Sequence, residues 1–195
     1  MITLDIISDP ICPWCYIGKA NLDAALAKAG ENPFDIRWRP FQLNPDMPAE
    51  GMGRAEYLDA KFGPENAKRF YARIEQVAKD AGLDVHFEKI AKTPNTIDAH
   101  RLIRWATTTG AQSAVKQDLF ERYLERGEDI SDHAVLLDVA EAAGMEREVV
   151  ANLLSSEADR AEVADEDRAA REMGVTGVPT FIIGGKYVLT GAQDA

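Results

Sequence analysis

Cys12 and Cys15 are the only cysteines in this 195-residue chain, and they are separated by just two residues, Pro13 and Trp14. They follow closely on a short apolar run, Ile2 to Ile7, whose Ile and Leu content reads as a buried strand. Asp9-Pro10 marks a turn after that strand. Cys12 then falls at a helix N-cap and Pro13 at the first helical position, where its missing N–H costs nothing. Cys15, Lys19, Leu22, Leu26 and Ala29 recur at helical spacing, with Lys19 on the flank of the stripe and Gly30 as the C-cap. A thiol pair at a strand-to-helix junction restricts the chain to α/β arrangements and is a redox signature.

The chain beyond this junction changes code twice. Phe34 to Arg39 alternates apolar and charged residues, as a strand with one wetter face does, and Asn44-Pro45-Asp46-Met47-Pro48 is a loop. Strand, helix, strand suggests a parallel βαβ unit. From Arg54 to Met173 the spacing is almost wholly helical, with five stretches ending at a glycine. Asn95, Ser131 and Ser156 with Asp159 are the expected caps. At Val175 the pattern reverts to strands. Pro179 to Ile183 and Lys186 to Leu189 flank Gly184-Gly185, which reads as a two-residue hairpin turn. Gly191 to Asp194 reads as the entry to a further helix, with a tail missing from the sequence. The simplest arrangement is one α/β domain, residues 1–50 and 175–195, interrupted by a helical insertion, residues 51–174.

A net charge of -11 argues against nucleic acid and anionic membrane surfaces as partners. No apolar run reaches the length of a membrane span, and Met1 leads into Ile-Thr-Leu-Asp with no basic leader region, so the expected compartment is the cytoplasm. Structural disulfides are rare there, so a cysteine pair cycles or binds metal. Zinc needs about four ligands, whereas the three histidines, His86, His100 and His133, have no paired spacing. No metal and no cofactor are expected beyond the redox-active cysteines.

The physical chemistry of a helix start assigns roles within the pair. Unpaired N–H groups and the macrodipole stabilise an anion at Cys12, so its pKa is expected to fall below that of a free thiol. Cys15 lies a turn further in, outside that field. Cys12 is therefore the nucleophile or the attacked sulfur, and Cys15 resolves the mixed disulfide. Pro13 and Trp14 tune the pair. Trp14 also reads as a cover over the site or as simple packing. Asp9, three residues before Cys12, reads as a proton relay for the resolving thiol or as a turn aspartate. His100 reads as a structural histidine or a substrate contact. Gln42 and Asn44, after a strand end where ligands bind in α/β folds, read as contacts or as loop caps.

Ser8 to Gly18, Pro40-Phe41-Gln42-Leu43-Asn44-Pro45, Asp98-Ala99-His100-Arg101-Leu102 and Gly177-Val178-Pro179-Thr180-Phe181 together resemble the DsbA family of the thioredoxin superfamily, specifically its FrnE-like branch. The resemblance covers essentially the whole chain. It implies a thioredoxin-like fold interrupted by a large all-helical insertion, and thiol–disulfide exchange at Cys12 and Cys15. It also implies a cis peptide at Val178-Pro179, where residue type alone favours trans. Such a turn leaves the Val178 backbone free to pair with an extended substrate. In the family a further C-terminal helix usually packs on the sheet, and this chain departs from that pattern.

Three functions compete. The first is an oxidoreductase or isomerase acting on protein or peptide thiols, with glutathione or a reducing partner as further candidates. The second is a glutathione-dependent isomerase or transferase, like the related 2-hydroxychromene-2-carboxylate isomerases and kappa-class glutathione transferases. Those relatives typically carry Ser where Cys12 stands, and Cys15 has no use in their chemistry. The third is a non-catalytic, chaperone-like accessory protein, which no residue positively supports.

Overall fold

The computed structural model describes residues 1–195, apart from the side chains of Pro64 and Glu65. β1 (Ile2–Ser8) runs into α1 (Pro13–Ala29), which returns the chain to β2 (Phe34–Pro40). β1 and β2 pair in parallel, in register from Ile2 opposite Phe34 to Ser8 opposite Pro40. β5 (Thr180–Ile183) and β6 (Tyr187–Thr190) come from the far end of the chain. β5 joins the free edge of β1 antiparallel, giving the sheet order β2-β1-β5-β6. The two ends of the sequence thus share one sheet, as their apolar runs require if each is to find partners for its backbone.

The intervening chain is mainly helical: α2 (Arg54–Phe62), α3 (Pro64–Asp80), α4 (Ile97–Trp105), α5 (Gln112–Phe120), α6 (His133–Ala142), α7 (Arg147–Leu154) and α8 (Arg160–Glu172). A two-residue ladder between β3 (Met52–Gly53) and β4 (Lys92–Thr93), absent from the sequence reading, closes the loop around α2 and α3. A one-turn π-helical segment, Glu121–Glu125, prolongs α5. Among the described residues no helix is long and apolar enough to cross a membrane.

Alternation along β1 divides the core. Leu4 and Ile6 face the main cluster with Tyr16 and Ile17 of α1 and Leu119 and Phe120 of α5, whereas Ile7 faces Phe41 and Ala170 of α8. On the α8 side an open groove of about 740 Å³ includes Ile7, Met173, Val175, Ile182 and Val188 in its lining.

The cap residues differ from expectation by small shifts. Thr96, not Asn95, is the N-cap of α4, although the Asn95 carboxamide still accepts the Ile97 N–H at 2.9 Å. Asp132, not Ser131, caps α6 by accepting the Ala134 N–H at 2.8 Å. Asp159, in the left-handed region at φ 57°, precedes α8 without a side-chain cap, and Ser156 instead stabilises the preceding turn. The hairpin loop between Ile183 and Tyr187 has three residues, Gly184-Gly185-Lys186, with positive φ at both glycines and the Lys186 N–H donating to the Ile183 carbonyl at 3.1 Å. Residues 191–194 are irregular, not helical. Asp167 of α8, although it follows two acidic residues, is buried and accepts the Gln42 N–H at 2.8 Å.

Candidate functional site

The site begins where β1 leaves the sheet. Asp9 closes a tight turn in which its carbonyl accepts the Cys12 N–H at 3.0 Å. Cys12 is the N-cap of α1, in extended backbone geometry, and Pro13 takes the first helical turn. Cys15 then lies one turn in, on the face of α1 that packs into the core. Both thiols are free and buried, and the two residues are 3.5 Å apart. Cys12 is 4% exposed and Cys15 1%.

The thiols ionise in opposite directions. Cys12 is lowered, first by a hydrogen bond from the Cys15 side chain and then by the backbone N–H groups of Cys15 and Trp14; burial and the Asp9 charge oppose this. Cys15 is raised well above an ordinary thiol, chiefly by burial and then by its neighbour Cys12. One sulfur is thereby prepared as a thiolate and the other is held as its hydrogen-bond donor.

The second half of the site comes from 166 residues further along the chain. The Val178–Pro179 peptide is cis, and the Cys12 thiol donates to the Val178 carbonyl at 3.8 Å. Gly18 explains how α1 and this segment approach so closely. A Cβ there would meet Pro179 Cγ at 2.9 Å and Phe181 Cζ at 3.3 Å. Trp14 is half-buried against the main core cluster, next to the pair.

Asp9 builds the turn, the second of its two sequence readings, and its carboxylate is wholly buried, accepting the Leu43 N–H at 2.7 Å and a long bond from Ile11 N–H at 3.5 Å. His100 stands behind it, with Nε2 at 3.2 Å from the Phe41 carbonyl and 3.6 Å from Asp9 Oδ1. At 2% exposure His100 is a buried neighbour of Asp9. Gln42 is pinned by its backbone to Asp167 and Arg171 of α8, while its side-chain nitrogen is buried with no hydrogen-bond partner among the described residues. Asn44 is tied to α2 instead, its Oδ1 accepting from the Tyr57 hydroxyl at 3.1 Å.

Lys116 escaped the sequence reading. It is 1% exposed, and Cys15, Asp9 and Cys12 are the charges that act on it. The signal was present: Lys116 follows Val115 and precedes Leu119 and Phe120 by three and four positions, so it lies on the buried face of α5.

A strand, a helix-capping cysteine pair and a cis-proline strand in one sheet define the thioredoxin-like α/β class. The DSBA-like thioredoxin domain matches residues 3–195, and the chain belongs to that family, the DsbA-like thiol–disulfide oxidoreductases. It is similar to the probable DsbA oxidoreductase SCO1869 from Streptomyces coelicolor, with 29% identity, a TM-score of 0.89, and coverage of 100% of this chain and 85% of that one. A 2-hydroxychromene-2-carboxylate isomerase shares the fold at 18% identity and a TM-score of 0.71, over 97% of this chain and 89% of that one. The cytosolic disulfide reductase DsbM from Pseudomonas aeruginosa, solved with GSH, does so at 21% identity and a TM-score of 0.69, over 96% of this chain and 89% of that one.

Proposed function

We propose that this protein exchanges disulfides with protein or peptide thiols through Cys12 and Cys15. The observation that carries the reading is the opposed ionisation of two free thiols 3.5 Å apart at the start of α1. The Cys12 thiolate attacks one sulfur of a substrate disulfide. The substrate S–S bond breaks, its electron pair leaves with the other sulfur, and a mixed disulfide remains on Cys12. Cys15 loses its proton and attacks Cys12 Sγ. The Cys12–Cys15 bond forms and the second substrate thiolate departs. Two electrons have then passed from the protein to the substrate. In reverse, the oxidised pair oxidises a dithiol.

Ionisation of Cys12 ends its hydrogen bond to the Val178 carbonyl, which then becomes available to an extended substrate backbone. Glutathione belongs among the candidate small thiols, since the DsbM neighbour was solved with it. The reducing environment of that cytosolic neighbour suits a cycling pair, and a cytoplasmic location is part of the proposal.

The isomerase reading shares the fold but gives Cys15 no task, and here Cys15 is the largest influence on Cys12. Cys12→Ser is expected to abolish reduction of a disulfide substrate by the reduced protein. Retained exchange in that variant would overturn the mechanism. Failure of the parent protein to form a Cys12–Cys15 bond under mild oxidant would favour the isomerase reading instead.

A further inference from the structure

We propose that Lys116 is the electrostatic partner of the resolving cysteine: its ammonium, carried on α5 of the helical segment, stabilises the Cys15 thiolate that forms when the mixed disulfide on Cys12 is resolved. The inference deepens the function proposed above and rests on it.

Its geometric basis is where α5 places the amine. Lys116 is turned inward with Val115, Leu119 and Phe120, and its Nζ lies 5.5 Å from the Trp38 ring centre and 5.1 Å from that of Phe120. Phe120 stacks on Tyr16 at 5.0 Å, and Tyr16 is the residue after Cys15. The ammonium therefore sits in the core beside the start of α1, between aromatic faces that attract a cation. Among the described residues it forms no salt bridge. A buried amine without an ion-pair partner costs stability, and such groups concentrate where charge develops during a reaction.

The charged and titratable groups facing this position have distinct tasks. α1 presents Cys12 and Cys15, and the turn before it presents Asp9, whose carboxylate is committed to the backbone of Ile11 and Leu43. The Tyr16 hydroxyl is engaged with Glu125 at 2.8 Å and Gln117 at 3.3 Å. β2 contributes the Trp38 ring, and His100 of α4 is engaged with Phe41 and Asp9. Burial lowers the Lys116 amine to about 8, against the opposing pull of Cys15, Asp9 and Cys12, so it is largely cationic at neutral pH.

The need arises after the first half-reaction. Cys12 is then bonded to substrate and no longer carries the anion that Cys15 was serving. Burial still opposes ionisation of Cys15, and Lys116 is a charge that favours it. The Cys15 proton passes to solvent, the thiolate attacks Cys12 Sγ, the Cys12–substrate bond breaks, and the departing thiolate takes up a proton.

Lys116→Met tests this, because it keeps the apolar stem and removes the charge. The reduced protein is mixed with an aromatic disulfide whose coloured thiolate is followed by stopped-flow absorbance. The first release reports attack by Cys12 and the second reports resolution by Cys15. In the variant the second phase is expected to slow, and its pH profile to move upward. At neutral pH the loss is about tenfold for each unit of that movement. The first phase should change less, and the melting temperature should hold or rise, since a buried cation has been removed. Equal second-phase rates in parent and variant would overturn the inference. So would a variant that melts far below the parent, because that would give the amine a structural role. If the parent releases no second thiolate and forms no Cys12–Cys15 bond, it is the proposed function that fails.

Discussion

Replacing Cys15 with alanine removes the group that most lowers the Cys12 thiol. The two residues approach to 3.5 Å, within reach of a thiol donating to a thiolate. A hydrogen bond to a charged acceptor contributes about 1.5–3 kcal/mol. At 1.36 kcal/mol per unit, the Cys12 pKa should rise by about one to two units. The backbone N–H groups of Cys15 and Trp14 remain in the variant, so part of the original lowering persists. Cys15→Ser keeps a donor and should fall between parent and alanine variant. Alkylation of Cys12 by iodoacetamide, followed against pH, reports the midpoint because only the thiolate reacts. A midpoint that stays in place or falls in Cys15→Ala would refute the reasoning. The same shift has a consequence for stability. A thiol lowered in the folded state stabilises the reduced protein at pH above its unfolded pKa, and that contribution is lost as pH falls through the folded pKa. Cys15→Ala should narrow this window from its lower edge.

Two further substitutions probe the scaffold. Arg101 is fully buried, bonding Asp98 and the carbonyls of Leu153, Ser156 and Ala158, so Arg101→Met should cost about 3–5 kcal/mol in urea unfolding. A loss below about 1 kcal/mol would show that the four acceptors find other donors. Gly18→Ala gains about 1 kcal/mol of helix propensity. It also places a methyl 2.9 Å from Pro179 Cγ, so a net destabilisation of about 1–3 kcal/mol and slower exchange are expected. A more stable variant with unchanged exchange would show that Pro179 yields without disturbing the site.

The local content of the site was legible because it is short-range. Strand, turn, Cys12 at the N-cap and Pro13 at the next position follow from residues within one turn of one another. Helix ends were legible to within a residue or two. Asn95, Ser131 and Ser156 all hydrogen-bond in the turns before their helices, but the neighbours Thr96 and Asp132 hold the cap positions of α4 and α6, and Asp159, expected together with Ser156, holds that of α8. A cap depends on backbone geometry that residue type alone does not specify. Asp167 shows the same limit at longer range. Nothing in its acidic run names a partner, and the Gln42 N–H, 125 residues away in sequence, claims its carboxylate.

Residue types and their spacing were enough to show that a strand and a helix would present two cysteines, one at the helix start and one a turn inside it. Periodicity likewise separated the strand-forming ends from the helical middle. Their physical basis is local: period, caps and turn chemistry act over a few residues. What surrounds the pair was decided in three dimensions. His100 behind Asp9, the Val178 carbonyl on Cys12 Sγ, and Lys116 in the core beside Cys15 come from separate elements. Desolvation depends on which of those elements close over a group, and desolvation is the largest cause of the shifts at both Cys15 and Lys116.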